Sequence, residues 1–285
     1  MASGQRKREG TRSTRQPTPK PALDEKSLVP AVTRAAAILD LLAGSGDPLG
    51  VSEISRRLHL PKSSVANLCT TLIDAGLLRA QDAGFALGQR LAHLGAAYLA
   101  GVDQVRLFHE RCEQLEEGRN DTAQLAVLAD GLDVIYLARR DGVYPVRLAS
   151  APGRALPATC TATGKAMLAT LAPAELQRRL DMSGPLPRLT AHSITSLPKL
   201  KAELDKIRRQ GYALDQEEVI EGVVCVAAAV AATGPVEQPF AVSITLLKPR
   251  ATPKLLERLA GELQALTGRI AQGLGMTSLG LRSAG

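Results

Sequence analysis

The sequence predicts an α+β fold in two parts: a winged helix-turn-helix, then a larger domain of antiparallel strands flanked by helices. Three observations carry this. Residues 51–88 hold two short apolar-periodic segments broken at Leu60-Pro61, followed by two strand-like runs around Asp82-Ala83-Gly84. Beyond residue 108, apolar runs of strand length alternate with turns and helical segments. The chain is 285 residues long, more than one ordinary core holds.

Composition narrows the class. Hydrophobic residues make up 45% of the chain but aromatics only 2%, so the cores must be built from Leu, Val, Ile and Ala. Few aromatics argue against single-stranded nucleic-acid binding, which uses stacking platforms. Cys69, Cys112, Cys160 and Cys225 are scattered with no Cys-x-x-Cys pair, which fits reduced thiols in a cytoplasmic protein. No uninterrupted apolar stretch reaches about 18 residues, so no transmembrane helix is expected. The N-terminus is basic but has no apolar core of a secretory signal.

The net charge of +7 is uneven. Residues 1–28 carry +4, residues 29–88 are neutral, and residues 89–285 carry +3. Residues 1–27, rich in Arg, Lys, Thr, Ser, Gly and Pro, have no periodicity and are expected to be disordered. Such a tail either aids solubility or lies as a basic arm on DNA phosphate.

Element by element, Val32, Ala35, Ala36, Leu39 and Leu42 recur at helical spacing, and Gly44-Ser45-Gly46-Asp47-Pro48 ends that helix. Ser52 can cap the next helix, with Ile54 and Leu58 as its buried stripe. Pro61 suits the first turn of the third helix. There Val65, Leu68, Cys69, Leu72 and Ile73 form a core-facing stripe, and Gly76 is a stop. Leu77-Leu78-Arg79 and Phe85-Ala86-Leu87 are the hairpin strands. Residues 89–107 read as a linker helix with a wide apolar face, either a dimer contact or ordinary packing, and a further helix spans about 105–118. Strands are expected at 124–128, 133–138, 146–148, 223–230 and 240–246. Helices are expected at 164–169, 173–180, 197–210 and from Thr252 to about Leu274. The domains are then a basic tail at 1–27, a winged module at 28–88, the linker at 89–107 and a larger α+β domain at 108–277.

A helix in the major groove presents its N-terminal half to base edges. Here that half offers Lys62, Ser63, Ser64, Ala66 and Asn67, with Arg56, Arg57 and Arg79 placed for phosphate. Asn can bind adenine through two hydrogen bonds. By spacing alone, the same helical hairpin with a wing would equally serve as a protein-interaction module.

Residues 31–40 (AVTRAAAILD), 58–72 (LHLPKSSVANLCTTL) and 85–88 (FALG) resemble the N-terminal domain of the isocitrate-lyase-regulator (IclR) family of bacterial transcription factors. The resemblance runs on through 146–148, 156–168 and 211–230, and covers nearly everything from residue 29 onward. It implies a winged helix-turn-helix, a linker helix and a C-terminal domain with a GAF-like curved antiparallel sheet. It also implies dimers, often paired into tetramers, that bind operator DNA under control of a small-molecule effector such as an organic or aromatic acid. Asn67 stands where relatives usually carry a basic residue, and Thr159, Cys160 and Thr163 depart from the usual pocket loop.

Carried over residue by residue, the resemblance implies effector contacts from Thr163, Gly164, Asp215, Glu221, Cys225, Ser243 and Thr245. Their chemistry is coherent. A glycine at a helix start offers free amides and a dipole suited to a carboxylate. Hydroxyls at 243 and 245 share one face of a strand. Asp215 and Glu221 would accept from a ligand hydroxyl, or else are solvated or capping residues, and Cys225 is otherwise a small buried hydrophobe.

Enzyme readings are weaker. Residues 159–166 miss the phosphate-loop pattern twice, at Thr159 and Ala166. Cys160 with His192 is the one nucleophile-and-base pairing to draw, as in a GAF-like enzyme, and nothing in the sequence brings the two together. His59, His93, His109 and His192 lack ligand spacing, so no metal or other cofactor is expected.

Overall fold

The computed structural model describes residues 27–129, 131–146, 150–232 and 238–276. The expected disordered tail falls outside them but for Ser27, as do Arg147 and Leu148 of the strand expected at 146–148. The chain forms two compact units that divide between Ala97 and Tyr98.

The first unit is a winged helix-turn-helix: α1 (Pro30–Ser45), α2 (Val51–Leu58), α3 (Lys62–Asp74), β1 (Leu78–Gln81) and β2 (Gly84–Leu87). Ile38, Leu42, Ile54, Val65, Cys69 and Leu72 interlock as its core. The stripe of α1 is rotated from the expected one: Ala37, Ile38, Leu41 and Leu42 are buried, while Val32 is 65% exposed. An Ala-rich helix offers two overlapping apolar stripes, and the larger Ile38 and Leu41 take the core.

Helix α2 starts earlier than expected. Gly50 is its N-cap and Ser52 lies inside it. Pro61, expected in the first turn of α3, is the residue just before it. The wing closes over Asp82-Ala83, with Gly84 already in β2. Gly84 has φ +134°, and a Cβ there would lie 2.4 Å from the Leu49 carbonyl carbon. Leu49 and Phe85 exchange backbone hydrogen bonds at 3.1 and 2.9 Å, so the wing is sewn to the α1–α2 connection at a place only glycine permits.

The linker expected as one helix over 89–107 is two: α4 (Arg90–Ala100) and α5 (Asp103–Cys112). Gly101-Val102 breaks it, since glycine weakens the helix and Asp103 favours a new N-terminus. The helix expected to about 118 ends at Cys112. No residue of α4 is buried.

The second unit is built on a six-stranded antiparallel sheet of order β5-β4-β3-β8-β7-β6. Its strands are β3 (Thr122–Leu128), β4 (Asp133–Arg140), β5 (Ala155–Pro157), β6 (Ala213–Gln216), β7 (Val223–Val230) and β8 (Phe240–Leu247). Helix α9 (Pro253–Gly273) packs with α5 on one face. Helices α6 (Ala162–Thr170), α7 (Pro173–Ser183) and α8 (Leu197–Gln210) pack on the other.

Strand alternation makes the two faces unequal. Along β8, Phe240, Val242, Ile244 and Leu246 meet α9, whereas Ala241, Ser243 and Thr245 turn to the α6 side. Along β7 the α6 side receives Cys225, Ala227 and Ala229. The α9 face is therefore filled with large aliphatics, and the α6 face carries small and polar groups.

Candidate functional site

The effector candidates gather on this α6 face. Asp215, Cys225, Thr245 and Thr122 pair side by side across β6, β7, β8 and β3. The next row holds Ala213, Ala227, Ser243 and Gln124. The N-terminus of α6 covers them, with Thr163 and Gly164 buried.

The polar groups are linked in a chain. Thr245 Oγ1 donates to Gln124 Oε1 at 3.0 Å, and Gln124 Nε2 donates to the Ser150 carbonyl at 2.7 Å. With its proton committed to Gln124, Thr245 is left to accept from the Cys225 thiol 3.3 Å away. From β4, the Tyr136 hydroxyl reaches Thr163 Oγ1 at 3.4 Å. Asp215 Oδ1 accepts from the Glu218 amide at 2.6 Å.

Burial sets the protonation of these groups. It pushes the Asp215 carboxyl up to about 7, helped by the Glu218 charge. It also raises the Tyr136 hydroxyl and the Cys225 thiol, so both stay neutral over the ordinary pH range. The surround is thus rich in neutral hydroxyl and thiol groups around one acid that titrates near neutrality.

Gly164 differs from its expected role. Its amide is not free: it donates to Thr161 Oγ1 at 3.0 Å, the N-cap of α6. Ala162 and Thr163 supply the first-turn amides that the cap leaves over. Gly164 is needed instead for closeness, because a Cβ there would lie 2.2 Å from the Ala158 Cα and carbonyl oxygen.

Glu221 is not brought to the site. It is exposed in the turn before β7. Glu217, at φ +68°, reverses the chain so that Glu218 folds back onto Asp215 and Glu221 is carried away. Gln124, Tyr136, Ser150, Thr161, Lys165 and Glu218 were missed by sequence reasoning. Gln124 alone left a signal, as the one strongly polar residue within the apolar run of β3.

In the first unit, Lys62, Ser63 and Asn67 are exposed on α3 and Ser64 is half-buried, while Val65, Cys69 and Leu72 of the same helix are buried. Arg79 is exposed on β1. Arg56 and Arg57 are both held by Glu53, each with a 2.6 Å contact to its Oε1.

Family models match nearly the whole described chain. The IclR helix-turn-helix domain matches residues 31–82, and the bacterial transcriptional regulator IclR C-terminal domain matches residues 96–272. The chain belongs to the IclR family of bacterial transcriptional regulators. It is 33% identical over 199 residues to the probable transcriptional regulator SauR of Cupriavidus necator, covering 69% of this chain and 78% of SauR. It is 32% identical over 248 residues to the HTH-type transcriptional regulator Rv1719 of Mycobacterium tuberculosis, covering 85% of this chain and 91% of that one. The crystal structure of the Agobacterium tumefaciens repressor BlcR superposes with a TM-score of 0.56 at 31% identity, covering 88% of this chain and 99% of BlcR.

As an IclR-family chain, the protein is a DNA-binding transcriptional regulator with a helix-turn-helix and a mixed α+β C-terminal domain. The thiol-enzyme alternative finds no support in the geometry. Cys160 is buried, and burial pushes its thiol up to about 11, far from a reactive thiolate.

Proposed function

We propose that the chain binds a small organic or aromatic acid between the α6 N-terminus and the sheet, and that this ligand changes its affinity for operator DNA. The observation that carries the reading is the row Asp215, Cys225 and Thr245 facing buried Thr163 under α6. The first-turn amides of α6 suit the carboxylate, and the hydroxyls of Thr163, Ser243 and Thr245 suit further ligand oxygens. A structural neighbour supports the ligand class: an IclR homologue from Microbacterium hydrocarbonoxydans was solved with 4-hydroxybenzoate, at a TM-score of 0.64 and 23% identity.

The DNA-reading surface in this proposal is Lys62, Ser63, Ser64 and Asn67 on α3, with Arg56, Arg57 and Arg79 on phosphate. Two such modules would act together in a homodimer on operator half-sites in the cytoplasm. The exposed Leu94 and Tyr98 of α4 suit a dimer contact. Residues 89–107 would transmit the ligand state, because a ligand regulates only by binding two arrangements unequally.

Thermal-shift screening of organic and aromatic acids on the full chain tests the ligand site. A binding acid raises Tm, by about 2.7 kcal/mol of stability at a hundredfold excess over Kd. Thr245→Val should reduce that gain, read against the variant's own unliganded Tm, which falls by about 1–3 kcal/mol of stability because Gln124 Oε1 loses its buried donor. A gel shift on DNA upstream of the protein's own gene, with and without the acid, tests regulation. A screen with no stabilising acid, or a shift indifferent to the acid that binds, would sink the proposal.

A further inference from the structure

A cavity of about 510 Å³ opens at the free edge of β6, away from the polar row under α6. Its size is that of a small-molecule site. Its floor is apolar, formed by Leu214, Val224 and Leu256 on the α9 side of the sheet. Its wall is charged: Lys165 of α6 and Glu203 of α8 from the opposite side, Glu217 and Glu218 of the turn after β6, and Lys248 just after β8.

The charges do not balance. Lys165 is 1% exposed and pairs with Glu218, itself 5% exposed. Lys248 pairs with Glu217. Glu203 has no ammonium of its own and shares Lys165, its Oε1 3.6 Å away. Three carboxylates thus face two ammonium groups. The shortage falls at a specific place, because Glu218 Oε2 is buried and has no hydrogen-bond partner. A buried carboxylate oxygen without a donor is costly, and a group that supplies one would be held there. Burial, and then the Glu203 charge, already push the Glu218 carboxyl up.

We propose that this cavity binds a small organic ammonium ion whose apolar group rests on Leu214, Val224 and Leu256 and whose N–H groups reach Glu203 and Glu218. The ammonium supplies the missing positive charge and the missing donors. An organic acid is disfavoured by the excess of carboxylates. A metal ion is disfavoured too: among the described residues, no three His, Cys, Asp or Glu side chains are grouped to hold one. None of Thr163, Asp215, Cys225, Ser243 and Thr245 lines this cavity, and neither ligand requires the other.

Titration calorimetry on the full chain tests this, with benzylamine as the probe and benzyl alcohol and benzoate as its neutral and anionic matches. Benzylamine should bind, and benzyl alcohol should bind at least about tenfold more weakly, as loss of a charge-assisted contact predicts. Glu203→Gln, at a partly exposed position, should weaken benzylamine about tenfold or more without lowering Tm. Lys248→Gln should tighten it, because Glu217 then adds an unpaired negative charge; a merely structural role for Lys248 predicts no tightening. Benzoate binding at the α6 site should be indifferent to Glu203→Gln. Absence of benzylamine binding up to about 10 mM, equal binding of benzyl alcohol, or unchanged affinity in Glu203→Gln would each overturn the proposal.

Discussion

Asp215 Oδ1 accepts the amide of Glu218 at 2.6 Å, so a buried acid is anchored by the backbone of the residue that neutralises Lys165. Burial holds the Asp215 proton up to about 7, against an ordinary value of 3.8. Between those values the unfolded chain ionises while the folded one keeps its proton. The raised value therefore makes folding progressively less favourable as pH rises through that window. Asp215→Asn removes the effect. Its stability advantage should be near zero at pH 4 and reach on the order of 4 kcal/mol above pH 7, measured as urea-unfolding curves across pH.

The same titration should tune acid binding. A protonated Asp215 can donate to a ligand carboxylate, and an ionised one repels it. Tyr136 and Cys225 beside it are held neutral by burial, and Lys165 is engaged by Glu218. Affinity for the stabilising acid should fall about tenfold or more from pH 6 to pH 8.5. In Asp215→Asn that dependence should flatten. Calorimetry at the two pH values reads both.

Gly164→Ala places a methyl 2.2 Å from the Ala158 backbone. Backbone cannot swing aside as a flexible side chain can, so α6 must lift from the sheet. Destabilisation of about 1–3 kcal/mol is expected. Acid binding should weaken together with it, whereas Gly261→Ala on α9, with nothing within 4 Å, should be neutral or slightly stabilising.

Glu53 occupies both Arg56 and Arg57. Glu53→Gln releases them to phosphate, and the log–log salt slope of DNA binding should steepen by about 0.9 for each further phosphate neutralised. Deleting residues 1–27, which carry +4 of the chain's +7, should flatten the slope by the same amount for each phosphate the tail had neutralised. Fluorescence anisotropy over a salt series measures both. A tail deletion that leaves the slope unchanged makes the tail a bystander.

Much of the fold was legible because local signals agreed. Helix α8 runs Leu197–Gln210 as expected, from the Ser196 cap through Leu200, Leu204 and Ile207 to Gly211. Strand β7 also keeps its expected bounds, Val223–Val230. Strands β5 and β6 escaped notice, being only three and four residues long, too short for a period to show.

The sequence by itself determined the winged module, the bounds of α8 and β7 and the polar set on β8, because alternation along one strand decides which residues share a face. It also pointed to Asp215, Cys225 and Thr245, which the sheet brings side by side, and to Thr163, buried in α6. Tertiary structure decided the rest. The left-handed Glu217 turned Glu218, not Glu221, toward Asp215. Packing of α6 against β6 and α8 joined Lys165 to an acid 53 residues away and made Glu203 share the same ammonium. Such pairings arise from chain reversal and the desolvation of particular atoms, and neither leaves a period in the sequence.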